Sequence, residues 1–336
     1  MLALAALLLS RHQFEPLVAY SARFYYQDHR RSYYQVYLSD FHGKSRRALT
    51  HGRGDRWGVQ WVGKNRIAWI ECDTVPRGIG PHGDSGHRLV EYDIRTKRRR
   101  IVATGCFSAI NTRDLGWPAR GVAIFDRWHA VQRGTSHGWS PPFDFEAYVT
   151  KNGRLALSHS RPPRRDVSFN INGGEDYFVL DGHTIRVVGN GPVTTRADRT
   201  GRTESMDTAI VERSGRKYNL CFDLDGPHRV AYTSARSDRC WIRDGFYAGS
   251  AGCEEWMYEV NWKTGTSKCV IANVLDIDFG GDLGTWASLT TNKNTDTMGK
   301  IQVWVCDVCA GDIRTGKRWK IASGFVHATS VSVQPN

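Results

Sequence analysis

Short runs of alternating apolar and polar residues, separated by turn residues, follow one another along most of the chain. Near the N-terminus a strand-like run at residues 35–38 leads into a turn at 41–44, and the chain returns through 47–50. A second pair of runs, 59–62 and 66–70, follows directly. Strand residues at this density, punctuated by Gly and Asn turns, are typical of an antiparallel meander. The pattern therefore predicts an all-β fold.

The pattern recurs in units of four strands at a period of roughly 45 to 60 residues. Such units bury their apolar faces only against neighbouring units, as the blades of a β-propeller do. We predict about six four-stranded blades, or seven if residues 160–215 contain an additional one. The first unit begins with a second strand, and residues 331–333 would supply its inner strand and close the ring. A two-sheet sandwich is the structural alternative, but it explains the repeat poorly.

The length of 336 residues suits one large β domain. We assign residues 15–336 to a single propeller domain and residues 1–14 to an apolar leader. Residues 1–9 are uniformly apolar, which suits the hydrophobic region of a signal peptide and falls short of the about 20 residues of a membrane span. No basic segment precedes them and no clear cleavage site follows, so an added apolar strand is the alternative. We expect an exported protein, periplasmic or extracellular, without a membrane span.

The chain is strongly basic, with 46 Lys and Arg against 34 Asp and Glu and a formal net charge of +12. This balance favours polyanionic partners or an anionic surface. The basic residues are dispersed in short runs such as 98–100 and 161–165, which is more typical of a solvated surface than of a nucleic-acid interface. We expect a protein or glycan partner and no nucleic acid.

Cysteines and glycines do not indicate a cofactor. Cys306 and Cys309 form the single CxxC pair, whereas a four-cysteine zinc site requires a second pair. Cys240 and Cys253 flank one connection and could pair in an oxidising compartment, but we expect most of the eight cysteines to be core or surface thiols. The GxGxxG spacing at residues 78–83 and the GxSxG spacing at residues 134–138 are not followed by a predicted helix, so they indicate neither a nucleotide-binding loop nor the nucleophile elbow of an α/β-hydrolase. We expect no cofactor and no bound metal.

Two stretches resemble the repeat of TolB-type propellers. Residues 61–69 and 222–232 contain its aromatic strand end, its turn and its strand of the type Ile-Ala-Phe, and Leu49 and Thr50 match the end of its outer strand. The resemblance covers most of residues 15–336, although no unit contains the full Ser-Pro-Asp-Gly turn of the family. It implies a propeller fold. This repeat occurs in periplasmic scaffold proteins, in propellers attached to peptidases and in some sugar lyases, so the resemblance leaves the function open.

Acidic and histidine side chains are the candidates for a metal or catalytic site. Asp276, Asp278 and Asp282 surround a Gly turn and could hold Ca²⁺, although Asp is common in turns. The histidines in or near connections are His82, His87, His129, His137, His159, His183 and His228. Several of them would have to converge on the channel to bind a metal, and none forms a local metal motif. Such a site would make the chain a lyase or hydrolase of acidic oligosaccharides, which is the alternative function.

Aromatic residues in the longer connections are the candidates for a binding surface, because aromatic and Arg side chains in loops are the usual anchors of interfaces. The segments concerned are 73–87, 127–145 and 235–252. The predicted binding residues are Trp128, Trp139, Phe143, Trp241, Phe246 and Tyr247. Packing beneath long loops is the other interpretation. We predict a non-enzymatic binding scaffold of the TolB-like propeller type that holds its partner through loops on one face.

Overall fold

The computed structural model describes residues 15–24, 33–72, 87–110, 123–128, 146–158, 177–180, 183–190, 194–197, 203–206, 209–220, 228–233, 236–247, 253–280, 282–290 and 305–335. Every helix or strand in these ranges is a β-strand. The prediction of an all-β fold is therefore confirmed. No helix suited to crossing a membrane occurs in the described ranges.

The strands are β1 (Leu17–Phe24), β2 (Gln35–Asp40), β3 (Arg46–Ala48), β4 (Asp55–Trp61), β5 (Arg66–Cys72), β6 (His87–Asp93), β7 (Arg98–Ile110), β8 (Ile124–Trp128), β9 (Glu146–Lys151), β10 (Arg154–Ser158), β11 (Tyr177–Leu180), β12 (His183–Asn190), β13 (Thr194–Ala197), β14 (Thr203–Met206), β15 (Ala209–Arg213), β16 (Arg216–Leu220), β17 (His228–Thr233), β18 (Arg239–Tyr247), β19 (Cys253–Asn261), β20 (Thr266–Ile271), β21 (Val274–Gly280), β22 (Leu283–Thr290), β23 (Val305–Asp312) and β24 (Lys317–Val333).

These strands form antiparallel units of four. One seven-stranded sheet has the order β21-β22-β23-β24-β1-β2-β3, and the other has the order β10-β9-β8-β7-β6-β5-β4. Each is two four-stranded units that share one long strand. We call β24-β1-β2-β3 unit 1, β4 to β7 unit 2, β7 to β10 unit 3, β11-β12-β15-β16 unit 4, β17 to β20 unit 5 and β21 to β24 unit 6.

The shared strands change partners partway along their length. β24 pairs with β23 up to Phe325 and with β1 from there to Val333, and Tyr20 is the partner of Val331. Gly324, with a φ of 84°, lies at this change, where the left-handed region favours glycine. The prediction that residues 331–333 pair with the incomplete first unit is therefore confirmed. Without this pairing, β1 would leave a row of backbone groups unsatisfied.

The polar segment at 190–206, predicted as a long loop or an insertion, contains a two-stranded hairpin of β13 and β14 between the second and third strands of unit 4. This hairpin stands outside the four-stranded sheet. The repeat is hard to trace there because its strands belong to no unit.

The apolar core lies between units, and the two faces of one strand belong to different core clusters. In β5, Ile67 and Trp69 pack with residues of units 1 and 2, whereas Ala68 and Ile70 pack with residues of units 2 and 3. Successive side chains of a strand point to opposite faces, so a strand covered on both faces is apolar at every position. This explains the uninterrupted apolar run from Ile67 to Ile70.

The junctions between the described parts of neighbouring units follow the order 4-5-6-1-2-3. Trp241 of unit 5 packs against Phe279 and Trp286 of unit 6. Tyr218 of unit 4 meets Trp262 of unit 5, with ring centroids 5.1 Å apart. Edge-to-face rings at such distances add about 1 kcal/mol to the stability gained by burial.

Candidate functional site

The connections of each unit leave from two opposite ends of its sheet, because neighbouring strands are antiparallel. The turns from the third to the fourth strand are 41–45, 94–97, 152–153, 214–215, 262–265 and 313–316. We call the end that carries them the turn end. The connections from the second to the third strand are 25–34, 73–86, 129–145, 191–208, 248–252 and 291–304. We call this opposite end the loop end.

The two ends differ in the length of chain that they carry. None of the third-to-fourth turns exceeds five residues, whereas five of the six second-to-third connections have at least ten. The first-to-second connections also leave from the turn end, and 111–123 is the long one among them. Long connections at an equivalent position in several units of a rigid scaffold are where binding residues concentrate.

Glycine contacts place the turn ends of neighbouring units side by side. Gly63, in the first turn of unit 2, has a φ of 76°, and a Cβ atom there would lie 3.0 Å from the Cα atom of Gly153 in unit 3. Gly316 of unit 6 lies similarly close to the Arg239 side chain at the start of β18 in unit 5. Only a residue without a side chain allows this approach at Gly63.

Acidic and amide side chains at the turn end cap the turns. Asp40 Oδ1 accepts hydrogen bonds from the backbone N–H groups of His42, at 2.9 Å, and Lys44, at 3.0 Å. Asn261 Oδ1 does the same for Lys263, at 3.0 Å. Such Asx turns fix the backbone of the tight connection.

Asp93 and Asp312 occupy the same position in units 2 and 6. Asp93 Oδ1 accepts from the N–H groups of Thr96, at 2.9 Å, and Arg95, at 3.1 Å. The Thr96 N–H is the main reason that the pKa of Asp93 is lowered, and the nearby Arg66 lowers it further. Asp312 accepts from the N–H of Arg314 at 2.9 Å.

The base of the 73–86 connection at the loop end is built from Trp57 and His87. Their rings meet edge to face with centroids 5.1 Å apart. His87 is 8% exposed, and burial lowers its pKa, so the ring is neutral at physiological pH. A neutral, buried histidine at the root of a connection supports packing and carries no charge to a ligand.

The base of the 129–145 connection is closed by an ion pair. Arg127, near the end of β8, donates to Glu146, the first residue of β9, at 3.0 Å. Both side chains are about one third exposed, so the pair adds less than about 1 kcal/mol to stability. Its effect is to fix where the two ends of the connection leave the sheet.

Four of the six predicted binding residues lie in described strands. Trp128 is the last residue of β8, and Phe246 and Tyr247 are the last two of β18, so they begin the 129–145 and 248–252 connections. Trp139 and Phe143 lie outside the described residues. The prediction that all six residues lie in connections was therefore wrong for the four that the structure describes.

Trp241 lies in the middle of a sheet. Its side chain is completely buried, its Nε1 donates to Glu259 Oε2 at 3.1 Å, and it packs against Trp286 across the junction of units 5 and 6. An indole without exposed surface offers nothing to a partner, so Trp241 is a core residue. The 235–252 segment was predicted as a connection, but residues 239–247 of it form β18, and Arg239 and Asp244 interrupt the apolar pattern of that strand.

Buried glutamates within the sheets are a feature that sequence analysis did not identify. Glu71 accepts from Trp69 Nε1 at 2.9 Å and pairs with Arg88 and Arg99. Glu259 repeats this arrangement in unit 5 beside Trp241. Carboxylates that are buried and held by indole and guanidinium groups have their acceptor positions occupied, so they stabilise the sheet and are poorly placed for catalysis.

The CxxC pair lies in β23. Residues three apart in a strand point to opposite faces, and Cys306 and Cys309 accordingly pack in different clusters. Burial raises the pKa of both thiols to about 12, so both are protonated and unreactive at neutral pH. The pair is a packing feature and cannot form a disulfide within the strand.

Two of the aspartates considered as Ca²⁺ ligands, Asp276 and Asp278, accept hydrogen bonds from backbone N–H groups instead. Asp276 Oδ2 accepts from the N–H of Val331 at 2.8 Å, and Asp278 Oδ2 accepts from that of Val333 at 2.7 Å. Both bonds join the inner strand of unit 6 to that of unit 1. No cluster of three His, Cys, Asp or Glu side chains suited to a metal occurs in the described ranges.

Comparison with known proteins gives structural likenesses only. No family model matches the chain, and no curated protein matches it. The crystal structure of TolB from Acinetobacter baumannii is similar, with a TM-score of 0.46 and 11% identity over 99% of this chain and 70% of that chain. Hydrazine synthase from Kuenenia stuttgartiensis has a TM-score of 0.36 and 11% identity over 95% of this chain and 47% of that chain. An oligogalacturonate lyase in complex with manganese has a TM-score of 0.27 and 12% identity over 91% of this chain and 78% of that chain. Scores below 0.5 support no conclusion about function. The chain is similar in structure to TolB, whose repeat its sequence resembles.

Proposed function

We propose that the chain is a non-enzymatic binding scaffold, a six-bladed propeller of residues 15–336 that holds a protein or glycan partner at its loop end. The ring would be closed by β24, which pairs with β1. Residues 1–14 would be an export leader, which would place the protein in the periplasm or outside the cell.

The contacts between inner strands support a ring. Asp276 and Asp278 of unit 6 bind the backbone of β24, and Ser330 Oγ of β24 accepts from the N–H of Val59 in unit 2 at 2.8 Å. The inner strands of units 1 and 2 thus have backbone N–H groups bound by side chains of the preceding unit, as edge strands require. Since the described junctions run from unit 4 to unit 3, a junction between units 3 and 4 would complete the ring.

The observation that carries the binding proposal is the position of the long connections. They occur between the second and third strands of the units, whereas the turn end is made mostly of short, capped turns. Without Trp241, the proposed binding set consists of Trp128, Trp139, Phe143, Phe246 and Tyr247. Aromatic residues of this kind supply large contact areas with few rotatable bonds.

The test uses the full chain as bait and compares loop variants with a turn variant. Partners would first be captured from an extracellular fraction and screened on an array of neutral and acidic oligosaccharides, and the affinity of the strongest would then be measured. Trp139→Ala and Phe143→Ala should weaken binding at least tenfold, as expected for side chains that become buried in the interface with the partner. Both substitutions should leave the melting temperature of the protein unchanged. Lys97→Ala, at the turn end, should leave the affinity as it is.

Two results would contradict the proposal. If the affinity falls only in variants that lower the melting temperature, the loops do not form the binding surface. If the protein cleaves acidic oligosaccharides with added Mn²⁺ or Ca²⁺, it is an enzyme and the binding role is wrong.

A further inference from the structure

The turn end carries one exposed lysine in every unit. These residues are Lys44, Lys97, Lys151, Lys217, Lys263 and Lys317. All six lie in the turn between the third and fourth strands or within two residues of it. The chain has only eleven lysines, so more than half of them occupy this one structural position.

The acidic residues of the same turns do not neutralise these lysines. Asp40, Asp93 and Asp312 point their carboxylates at backbone N–H groups of their own turns and are at least half-buried. Among the described residues, none of the six lysines forms an ion pair. The charge of the lysines is therefore presented to solvent.

Two exposed acids occur among the described residues of the turn end. Glu15 is exposed, but it lies 3.3 Å from His42 Nε2, and Asp238 is exposed between β17 and β18. Two additional exposed cations belong to unit 2: Lys64 lies in its first turn, and Arg98 is the first residue of β7. The net charge of the described turn end is clearly positive.

The turns are held at one side of the molecule by contacts between neighbours. Gly63 lies against Gly153, Gly316 against Arg239, and Gly265 against Tyr218, so the turn ends of units 2 and 3, 5 and 6, and 4 and 5 are adjacent. Most of these turns are short and capped. The lysines therefore lie on a rigid surface that extends over neighbouring units, and they do not follow a single groove.

We propose that the turn end docks on a planar anionic surface, specifically a bilayer rich in anionic phospholipid headgroups. Lysine is a hydrated point charge on a flexible stem, so it attracts headgroups without a fixed geometry. Six or more such charges on one face suit a flat, distributed negative charge better than one polymer chain, which would need a continuous track. This docking is independent of the proposed partner at the loop end, and it would leave that end facing away from the membrane.

The experiment measures binding of the full chain to sedimented vesicles, either of neutral phosphatidylcholine or with about one third phosphatidylglycerol. Binding should require the anionic lipid and weaken as salt is raised. Removing Lys97, Lys151 and Lys263 together by substitution with Gln should weaken binding about a hundredfold, at about fivefold for each charge. The matched triple substitution with Arg keeps the charge and should bind like the native chain.

Arg53→Gln is the control for position, because Arg53 is an exposed cation in the connection from β3 to β4 at the loop end. It should change binding less than twofold. Equal binding to neutral vesicles, or a loss with Arg53→Gln as large as that with Lys97→Gln, would overturn the proposal. Tighter binding to soluble dextran sulfate than to anionic vesicles at equal charge would also overturn it in favour of a soluble polyanion. The loop variants Trp139→Ala and Phe143→Ala should bind vesicles normally, so failure of either proposal is distinguishable from failure of the other.

Discussion

At the turn end, aspartate and asparagine side chains bind the backbone of their own turns, whereas at the loop end the described polar side chains fix the bases of long connections. Asp40 and Asp93 cap their own turns, and Gly63 permits close contact with the next unit. Arg127 and Glu146 only bracket a connection of 17 residues. The difference indicates that side-chain contacts fix the turn end, and it supports the proposal that the loop end binds a partner.

The largest expected effect separates a core tryptophan from a loop tryptophan. Trp241→Ala should lower the free energy of unfolding by about 3–5 kcal/mol, because it leaves a cavity between units 5 and 6 and removes the donor to Glu259. Trp139→Ala should lower it by less than about 0.5 kcal/mol if Trp139 serves binding. Urea denaturation of both variants checks the comparison, and equal losses would show that the 129–145 connection is part of the core.

A smaller effect is expected at the contact between turns. Gly63→Ala should lower the free energy of unfolding by about 1–3 kcal/mol, because the new methyl group would meet the Gly153 backbone. Gly52→Ala is the matched control, since Gly52 has a φ of 89° and no atom within 4 Å of the position of the new methyl group. Both substitutions strain the backbone, so the difference between the two variants in thermal denaturation measures the cost of the contact alone. Equal losses would mean that the turn ends do not pack as described.

The smallest effect concerns a turn cap and depends on pH. Asp93→Asn should cost about 1 kcal/mol at neutral pH, because a charged acceptor of two N–H groups is replaced by a neutral one. The pKa of Asp93 is lowered from 3.8 in the folded chain. The stabilisation is therefore complete above about pH 4 and is lost as the pH falls through the lowered value. Denaturation at pH 7 and at pH 2.5 should show that the difference in free energy of unfolding between the variant and the native chain becomes smaller at pH 2.5. A difference that stays the same would exclude the charge of Asp93 as its cause.

The parts of the fold that were predictable are those in which pattern and burial agree. The apolar run from Ile67 to Ile70 predicted a strand, and residues 331–333 were expected to pair with the first unit because that unit lacked a strand. Trp241 was misplaced because the charges beside it suggested a loop. Those charges are satisfied by residues distant in sequence, as Arg239 is by Glu259 at 3.5 Å, and such pairing leaves no local signal.

The site was less predictable than the fold. Asp276 and Asp278 were considered as metal ligands from their spacing, but their partners are backbone groups of residues 331 and 333 at the far end of the chain. The placement of most long connections between the second and third strands became visible only once strand pairing assigned each connection to a position in its unit.

Hydrogen–deuterium exchange with and without a captured partner tests the separation of the two ends most directly. We predict that a saturating partner slows exchange in the 73–86, 129–145 and 248–252 connections and leaves exchange in the turns at 94–97, 152–153 and 262–265 unchanged. Protection of the turns with unchanged exchange in the connections would contradict it.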